Sequence, residues 1–273
     1  MGHGKLKKFA ENLGFPCLLQ PVASEVLDKT GGGFAVHDHA VKGSWNERMF
    51  SAPRPIVLEL GCGRGEYTID LAERNPSCNY IGVDIKGARL WKGAKYATEH
   101  ALGNVAFLRT RIELIEAFFA PEEISEIWLT FSDPQLRGEN KRLTAPIFLE
   151  RYRKFLRPGG IVHLKTDSRF LYEYSLAVVR ENGLPLLAAT PDLYGEVDSV
   201  RESALASVCG ADAVDALVSV QTYYERMFRD QGYKITYLAF QLDHDGPLVS
   251  PASFDADYWR SVEGPRHFVR QTD

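Results

Sequence analysis

From residue 59 to residue 65 the chain reads Glu59-Leu60-Gly61-Cys62-Gly63-Arg64-Gly65, with a carboxylate two positions ahead of the first of three alternating glycines. Glycines at that spacing let the backbone turn tightly and come close to a ligand, because no Cβ stands in the way. The pattern G-x-G-x-G differs from the G-x-G-x-x-G fingerprint of dinucleotide folds, which argues against a nicotinamide or flavin occupant. Asp84 follows about 20 residues further on, where a carboxylate can accept from both hydroxyls of a ribose. Loop and carboxylate together point to a nucleoside-bearing cofactor without choosing which one. Taken alone, Asp84 would serve equally as a helix cap, and the glycines as a plain turn.

A second group of candidates lies in Phe131-Ser132-Asp133-Pro134-Gln135-Leu136-Arg137 and the following Asn140-Lys141-Arg142. Asp133 before proline can open a turn through its own side chain. Asp167, ahead of Ser168, can cap a helix, and a run such as Arg137 to Arg142 can be a solvated face. The functional alternative makes the aspartates ligand contacts and the basic residues partners for phosphate. His37 and His39 are closely spaced but lack partners at metal-ligand spacing, so they read as loop histidines and no metal is expected. No Ser-His-Asp or Cys-His arrangement is suggested.

The elements that must position these residues follow from the apolar pattern. From Ile56 onward, apolar runs of strand length alternate with amphipathic stretches of helix length, the mark of βαβ units around a mostly parallel, doubly wound sheet. Strands are expected at Ile56–Leu60, Asn79–Asp84, Val105–Arg109, Ile127–Phe131 and Ile161–Lys165. Helices are expected through Glu73, across Ala88 to His100, across Ala145 to Phe155, and to about Glu181, with a turn at Pro158-Gly159-Gly160. Tyr233–Leu242 alternates with period two and is expected to close the sheet as an antiparallel strand. Between Leu184 and Val220 only a strand at Leu186 and helical pieces near Glu202 and Val214 are assigned. Residues 1–50 then form an N-terminal extension, 51–243 the main α/β domain, and 244–273 an irregular tail.

The bulk composition restricts the class further. With 273 residues and 45% hydrophobic content, one globular α/β domain is the expectation. No apolar run reaches the roughly 20 residues a bilayer span needs, and the N-terminus lacks an apolar signal-peptide core, so a cytoplasmic protein is expected. Cys17, Cys62, Cys78 and Cys209 form no CxxC pair, which suits reduced thiols. A net charge of −4 argues mildly against a nucleic-acid partner, but the positive charge is clustered at Lys5, Lys7 and Lys8, at Arg137, Lys141 and Arg142, and at Arg151, Arg153, Lys154 and Arg157. Those clusters permit a basic surface.

The loop Glu59 to Gly65 resembles that of class I methyltransferases, in which the glycines pack along the methionine part of S-adenosylmethionine and the acidic residue helps to position it. The segment from Phe131 to Arg142 is similar to bacterial tRNA (guanine-N7)-methyltransferases. So are Lys5-Leu-Lys-Lys-Phe-Ala10, Lys165-Thr166-Asp167 and Thr222-Tyr-Tyr-Glu225, in that family's order from about Lys5 to Leu242. The resemblance implies a Rossmann-like class I fold, S-adenosyl-L-methionine as cofactor, and methylation of guanine N7 in tRNA, at a variable-loop guanine. It makes Glu59, Gly61, Gly63 and Asp84 cofactor contacts, Asp133 the catalytic aspartate, and Arg137, Asp167, Thr222 and Glu225 substrate contacts, with the N-terminal extension part of the RNA surface. The chain departs from the family pattern at Ser132, where proline is usual, at Gln135, where tryptophan is usual, and at Arg111, where an acidic or amide residue usually meets the adenine. Those departures leave two alternatives: a decayed methyltransferase fold that binds RNA or a partner subunit, and a small-molecule methyltransferase.

Overall fold

Every residue of β4 (Ile56–Leu60) and of β5 (Asn79–Asp84) is buried, as strands covered by helices on both faces must be. The computed structural model describes residues 3–263. Among those residues the other strands are β1 (Leu18–Leu19), β2 (Leu27–Thr30), β3 (Gly33–Val36), β6 (Val105–Arg109), β7 (Ile124–Thr130), β8 (Leu156–Thr166), β9 (Leu186–Thr190) and β10 (Thr236–Gln241). The main sheet has eight strands in the order β1-β6-β5-β4-β7-β8-β10-β9. All its pairings from β1 to β8 are parallel, and β10 is antiparallel to both its neighbours.

The helices are α1 (His3–Asn12), α2 (Trp45–Met49), α3 (Glu66–Arg74), α4 (Gly87–Glu99), α5 (Pro146–Tyr152), α6 (Arg169–Glu181), α7 (Val197–Arg201), α8 (Ala204–Cys209), α9 (Ala211–Ser219), α10 (Tyr223–Asp230) and α11 (Ala256–Glu263). They cover the sheet from both sides, and alternation along the strands divides the core accordingly. Leu58, Val83, Leu129 and Leu164 face one layer with Leu149 of α5 and Leu171 of α6. Val57, Tyr80, Trp128 and Tyr237 face the other, with Leu71 of α3, Leu90 of α4 and Leu217 of α9.

The structure departs from the sequence-based expectations in four places. The turn expected at Pro158 to Gly160 lies inside β8, as an irregularity between the Leu156 and Ile161 pairings in which Gly159 takes φ +69°. β2 and β3 form a separate hairpin around Gly31-Gly32, a two-glycine link that the sequence displays openly. β1 adds a two-residue parallel edge beside β6, too short to give a period. The tail expected to be irregular contains α11, whose neighbour Phe254 sits edge-on to Phe170 and Tyr174 of α6; residues 264–273 of that tail lie outside the described residues.

Candidate active site

In this sheet β4 has β5 on one side and β7 on the other, so the chain order reverses between β4 and β7. Open α/β sheets bind their ligands in the crevice that such a reversal leaves beyond the strand ends. The glycine loop follows β4 and the Asp133 loop follows β7, so the two flank that crevice.

Gly61, Gly63 and Gly65 take φ of +81°, +57° and +74°, left-handed values that other residues adopt at a cost. At Gly61 and Gly63 a Cβ would meet nothing within 4 Å, so the backbone there borders open space. At Gly65 a Cβ would come within 2.5 Å of the Phe107 ring, and glycine is needed there for packing instead. Asp84, nearly buried at the end of β5, accepts from Gly63 N–H at 3.1 Å through Oδ2 and from Lys86 N–H at 2.7 Å through Oδ1. Each carboxylate oxygen has a second lone pair, so Asp84 braces the loop and keeps acceptor capacity for a diol. It is not a helix cap, since the capping position of α4 is Lys86.

Glu59 is buried and turned inward. Its Oε2 accepts from Thr68 N–H at 3.0 Å and from the Thr68 hydroxyl, and its Oε1 from the Thr130 hydroxyl. Burial raises its pKa, against those hydrogen bonds. The structure therefore uses Glu59 to tie β4 to α3 and β7, holding the glycine loop from beneath. Cys62 is buried within the loop, and burial pushes its thiol well up, which makes it a poor nucleophile.

The loop after β7 is conformationally costly, with Phe131 at φ +49° and Gln135 at φ +48°; such strain persists only where surroundings enforce it. Phe131 N–H donates to Lys165 O at 2.9 Å. Asp133 is exposed and its Oδ1 accepts from Gln135 N–H at 2.9 Å. The turn role and a free-facing carboxylate oxygen thus coexist at Asp133. Arg137 and Lys141 are exposed, but Arg142 is 4% exposed, which corrects its reading as part of an exposed basic run, whether solvated or facing phosphate. Its guanidinium lies 4.8 Å from the Phe170 ring centre and 4.3 Å from that of Tyr174, and it donates to Gln135 O and Leu136 O. Arg260 of α11 also donates to Leu136 O, at 3.0 Å.

Asp167 follows β8 at the same edge and is nearly buried; the cap of α6 is Ser168, which accepts from Leu171 N–H at 3.0 Å. Thr222 caps α10, accepting from Glu225 N–H at 3.1 Å. Glu225 is wholly buried against Lys165, with Nζ to Oε1 at 2.7 Å and Tyr194 Oη donating to the same oxygen. Glu66, the first residue of α3, accepts from Tyr223 N–H at 2.9 Å and pairs with Lys92 at 2.7 Å. The glycine-loop helix and the helix carrying Glu225 are thereby joined.

Sequence reasoning gave no role to Lys165, which it met only as part of a motif, or to Glu66, and it missed the inward place of Arg142. Lys165 ends an apolar strand run, and a lone lysine at that point could have marked a buried charge; nothing in the basic run distinguishes Arg142 from its exposed neighbours. Among the described residues no group of three His, Cys, Asp or Glu side chains could hold a metal ion, and no helix is long and apolar enough to cross a membrane.

Residues 53–199 match the model of a family described as "Putative methyltransferase". A tRNA (guanine-N(7)-)-methyltransferase of Bacteroides thetaiotaomicron is 44% identical over 273 residues, covering 100% of this chain and 99% of its own. The protein of that name from Porphyromonas gingivalis is 46% identical over 229 residues, 84% of this chain and 85% of its own. The one from Levilactobacillus brevis is 32% identical over 199 residues, 72% and 84%.

Proposed function

The chain belongs to the tRNA (guanine-N7)-methyltransferase family, and we propose that it moves a methyl group from S-adenosyl-L-methionine to N7 of a guanine in tRNA. The observation that carries the reading is the crevice between β4 and β7, with a glycine cradle open at Gly61 and Gly63 on one side and Asp133 on the other. The donor set suits the cofactor. Asp84 has lone pairs for the ribose hydroxyls, and the loop backbone borders the space for the methionine chain. Backbone groups near Arg111 and Ile112 take the adenine edge, since Arg111 itself is exposed beside Glu113. When bound, the cofactor supplies a methyl group made electrophilic by its sulfonium.

Guanine N7 carries an unprotonated lone pair on the base's outer edge, so attack requires no general base. What the protein must supply is alignment of the two reactants and a negative charge near the purine as positive charge moves onto it. Asp133 suits that role, because Gln135 N–H holds its Oδ1 and the Arg142 clamp fixes the loop behind it. Asp167, Thr222 and Glu225 stand for the pocket that receives the base. Arg137 and Lys141, both exposed, and the Lys5, Lys7 and Lys8 cluster on α1 serve the phosphates. α1 is docked beside the cofactor end, with Asn12 Nδ2 donating to Gly87 O at 2.9 Å and Trp91 Nε1 to Glu11. A base held in tRNA tertiary structure must be extruded, at a cost of a few kcal/mol that such backbone contacts offset. The test is incubation with labelled S-adenosylmethionine and unmodified bulk tRNA, followed by digestion. Label in 7-methylguanosine is expected, and label in another nucleoside, or in none, would remove the assignment.

A further inference from the structure

The helix α11 stands outside the alternation of strands and helices that builds the sheet, yet it reaches the loop that carries Asp133. It is seated on α6. Phe254, just ahead of it, lies edge-on to Phe170 and Tyr174, with ring centres 5.4 and 5.3 Å apart, and the Trp259 ring centre is 5.5 Å from the Arg169 guanidinium. Glu263 Oε2 accepts from Phe170 N–H at 2.9 Å. That bond serves one of the backbone donors which the first turn of a helix leaves without a partner, and it puts a carboxylate at the positive end of α6. The same turn begins just after Asp167.

From this seat Arg260 Nε donates to Leu136 O at 3.0 Å, across 124 residues of sequence, while its Nη1 pairs with Asp257 on its own helix. Leu136 follows Gln135, whose φ of +48° is one of the costly conformations of the Asp133 loop. Such a conformation holds only while its surroundings enforce it. Arg142 also donates to Leu136 O, but at 3.4 Å, long for a hydrogen bond. Arg260 therefore makes the shorter bond to this carbonyl, and it brings it from an element that the loop itself does not contain.

We propose that Arg260 is a positioning residue for methyl transfer: by tying the Leu136 carbonyl to a helix seated on α6, it keeps the Asp133 loop in its strained form and at a fixed place against the segment that starts at Asp167. Arg260 acts through the backbone of the loop and not on either reactant. A displacement of about 1 Å at the reacting groups can cost about 10²-fold in rate, so one partly exposed arginine can control turnover without holding up the fold. This role rests on the assignment of Asp133 to methyl transfer.

The test compares R260A, R260K, D133N and R260A/D133N with the parent, all in the full-length protein. Single-turnover methylation of unmodified tRNA, at saturating S-adenosylmethionine and RNA, is measured per cofactor site, the sites being counted by calorimetric titration with S-adenosylhomocysteine. Affinity for tRNA is measured as a function of salt. R260A should bind S-adenosylhomocysteine and tRNA within threefold of the parent while its single-turnover rate falls at least tenfold. A helix that only stabilises the fold would lower the number of sites and leave the rate of each unchanged. R260K keeps a donor for the Leu136 carbonyl and should transfer faster than R260A. Residues that act through one loop are coupled, so the losses should not multiply, and R260A/D133N is expected within threefold of D133N. A smaller loss in R260A, no gain in R260K, or a further drop of more than threefold in the double variant would each overturn the proposal. So would a weaker and less salt-dependent tRNA affinity at an unchanged rate, which would make Arg260 a phosphate contact. A D133N protein that transfers at the parental rate, or a parent that methylates no guanine, would instead remove the reading on which this role rests.

Discussion

Replacing Arg142 separates a phosphate-binding arginine from an internal clamp. Its guanidinium donates at 3.2 Å to Gln135 O and at 3.4 Å to Leu136 O, the second contact being long for a hydrogen bond. A bond from a charged donor contributes about 1.5–3 kcal/mol, so the pair together contributes nearer one full bond than two. The two aromatic contacts add about 0.5–1 kcal/mol each. Truncation leaves no carbonyl stranded, because Leu136 O keeps Arg260 and Gln135 O keeps Gly138 N–H at 3.1 Å. Arg142→Ala should therefore lower the unfolding free energy by about 2–4 kcal/mol, well above the roughly 0.5 kcal/mol of an ordinary surface change. Arg142→Lys keeps the charge but loses the flat stack and the fork, and should lie between. Urea unfolding gives these values, with the slope m unchanged. In parallel, Arg137→Ala/Lys141→Ala should leave stability within about 0.5 kcal/mol and reduce the slope of log RNA affinity against log salt by about 1.5–2, while Arg142→Ala leaves that slope alone. Parental stability of Arg142→Ala together with a reduced salt slope would refute the clamp and return Arg142 to the RNA surface.

Asp84→Ala removes the ribose acceptors and the brace on Gly63, so calorimetric affinity for S-adenosylmethionine should weaken by roughly 2–4 kcal/mol; unchanged affinity in the folded variant would end the ribose assignment. Asp133→Asn keeps an acceptor for Gln135 N–H, so stability and cofactor affinity should hold while single-turnover methyl transfer falls about 10²-fold or more; a rate within a few-fold of the parent would make Asp133 a turn residue only. Glu66 is partly buried, which by itself raises its pKa, yet the Lys92 ammonium and Tyr223 N–H outweigh this and hold it below the usual 4.5. A carboxylate with a depressed folded pKa stabilises the fold above its unfolded pKa and loses that increment as pH falls through the folded value. The stability gap between parent and Glu66→Gln should thus be present at pH 7 and close as pH drops below about 4.5; a gap that persists at low pH would show that the ionised form of Glu66, paired with Lys92 and accepting from Tyr223 N–H, is not what stabilises the fold there.

The parallel strands were legible because strands buried on both faces are continuous apolar runs: Ile56–Leu60, Asn79–Asp84 and Val105–Arg109 lie where that pattern puts them. The antiparallel β10 was legible from its period of two, although pairing trims it to Thr236–Gln241. α11 was not, since an eight-residue helix after two prolines is held by Phe254 and Arg260 contacts made far away in sequence. The conformation of the glycine loop and the place of Asp84 at the end of β5 were legible, because backbone freedom at Gly61 and Gly63 and position at a strand end are local properties. The inward orientation of Glu59, Arg142 and Glu225 was not, because a charged residue at a strand end or in a loop has the same letter whether it meets solvent or a partner. Burial of Arg142 depends on Phe170 and Tyr174, and burial of Glu225 on Lys165, pairings that only the fold creates.

Whether N7 of guanine is the atom methylated is decided most cleanly by removing that atom. A tRNA transcript made with 7-deazaguanosine in place of guanosine keeps the Watson–Crick edge and the backbone but carries a C–H where N7 would be, and it is compared with the ordinary transcript at saturating labelled S-adenosylmethionine. Transfer to the ordinary transcript is expected, with none to the deaza transcript, which should still compete for binding. Undiminished transfer to the deaza transcript would place the methyl group on another atom and overturn the assignment of N7.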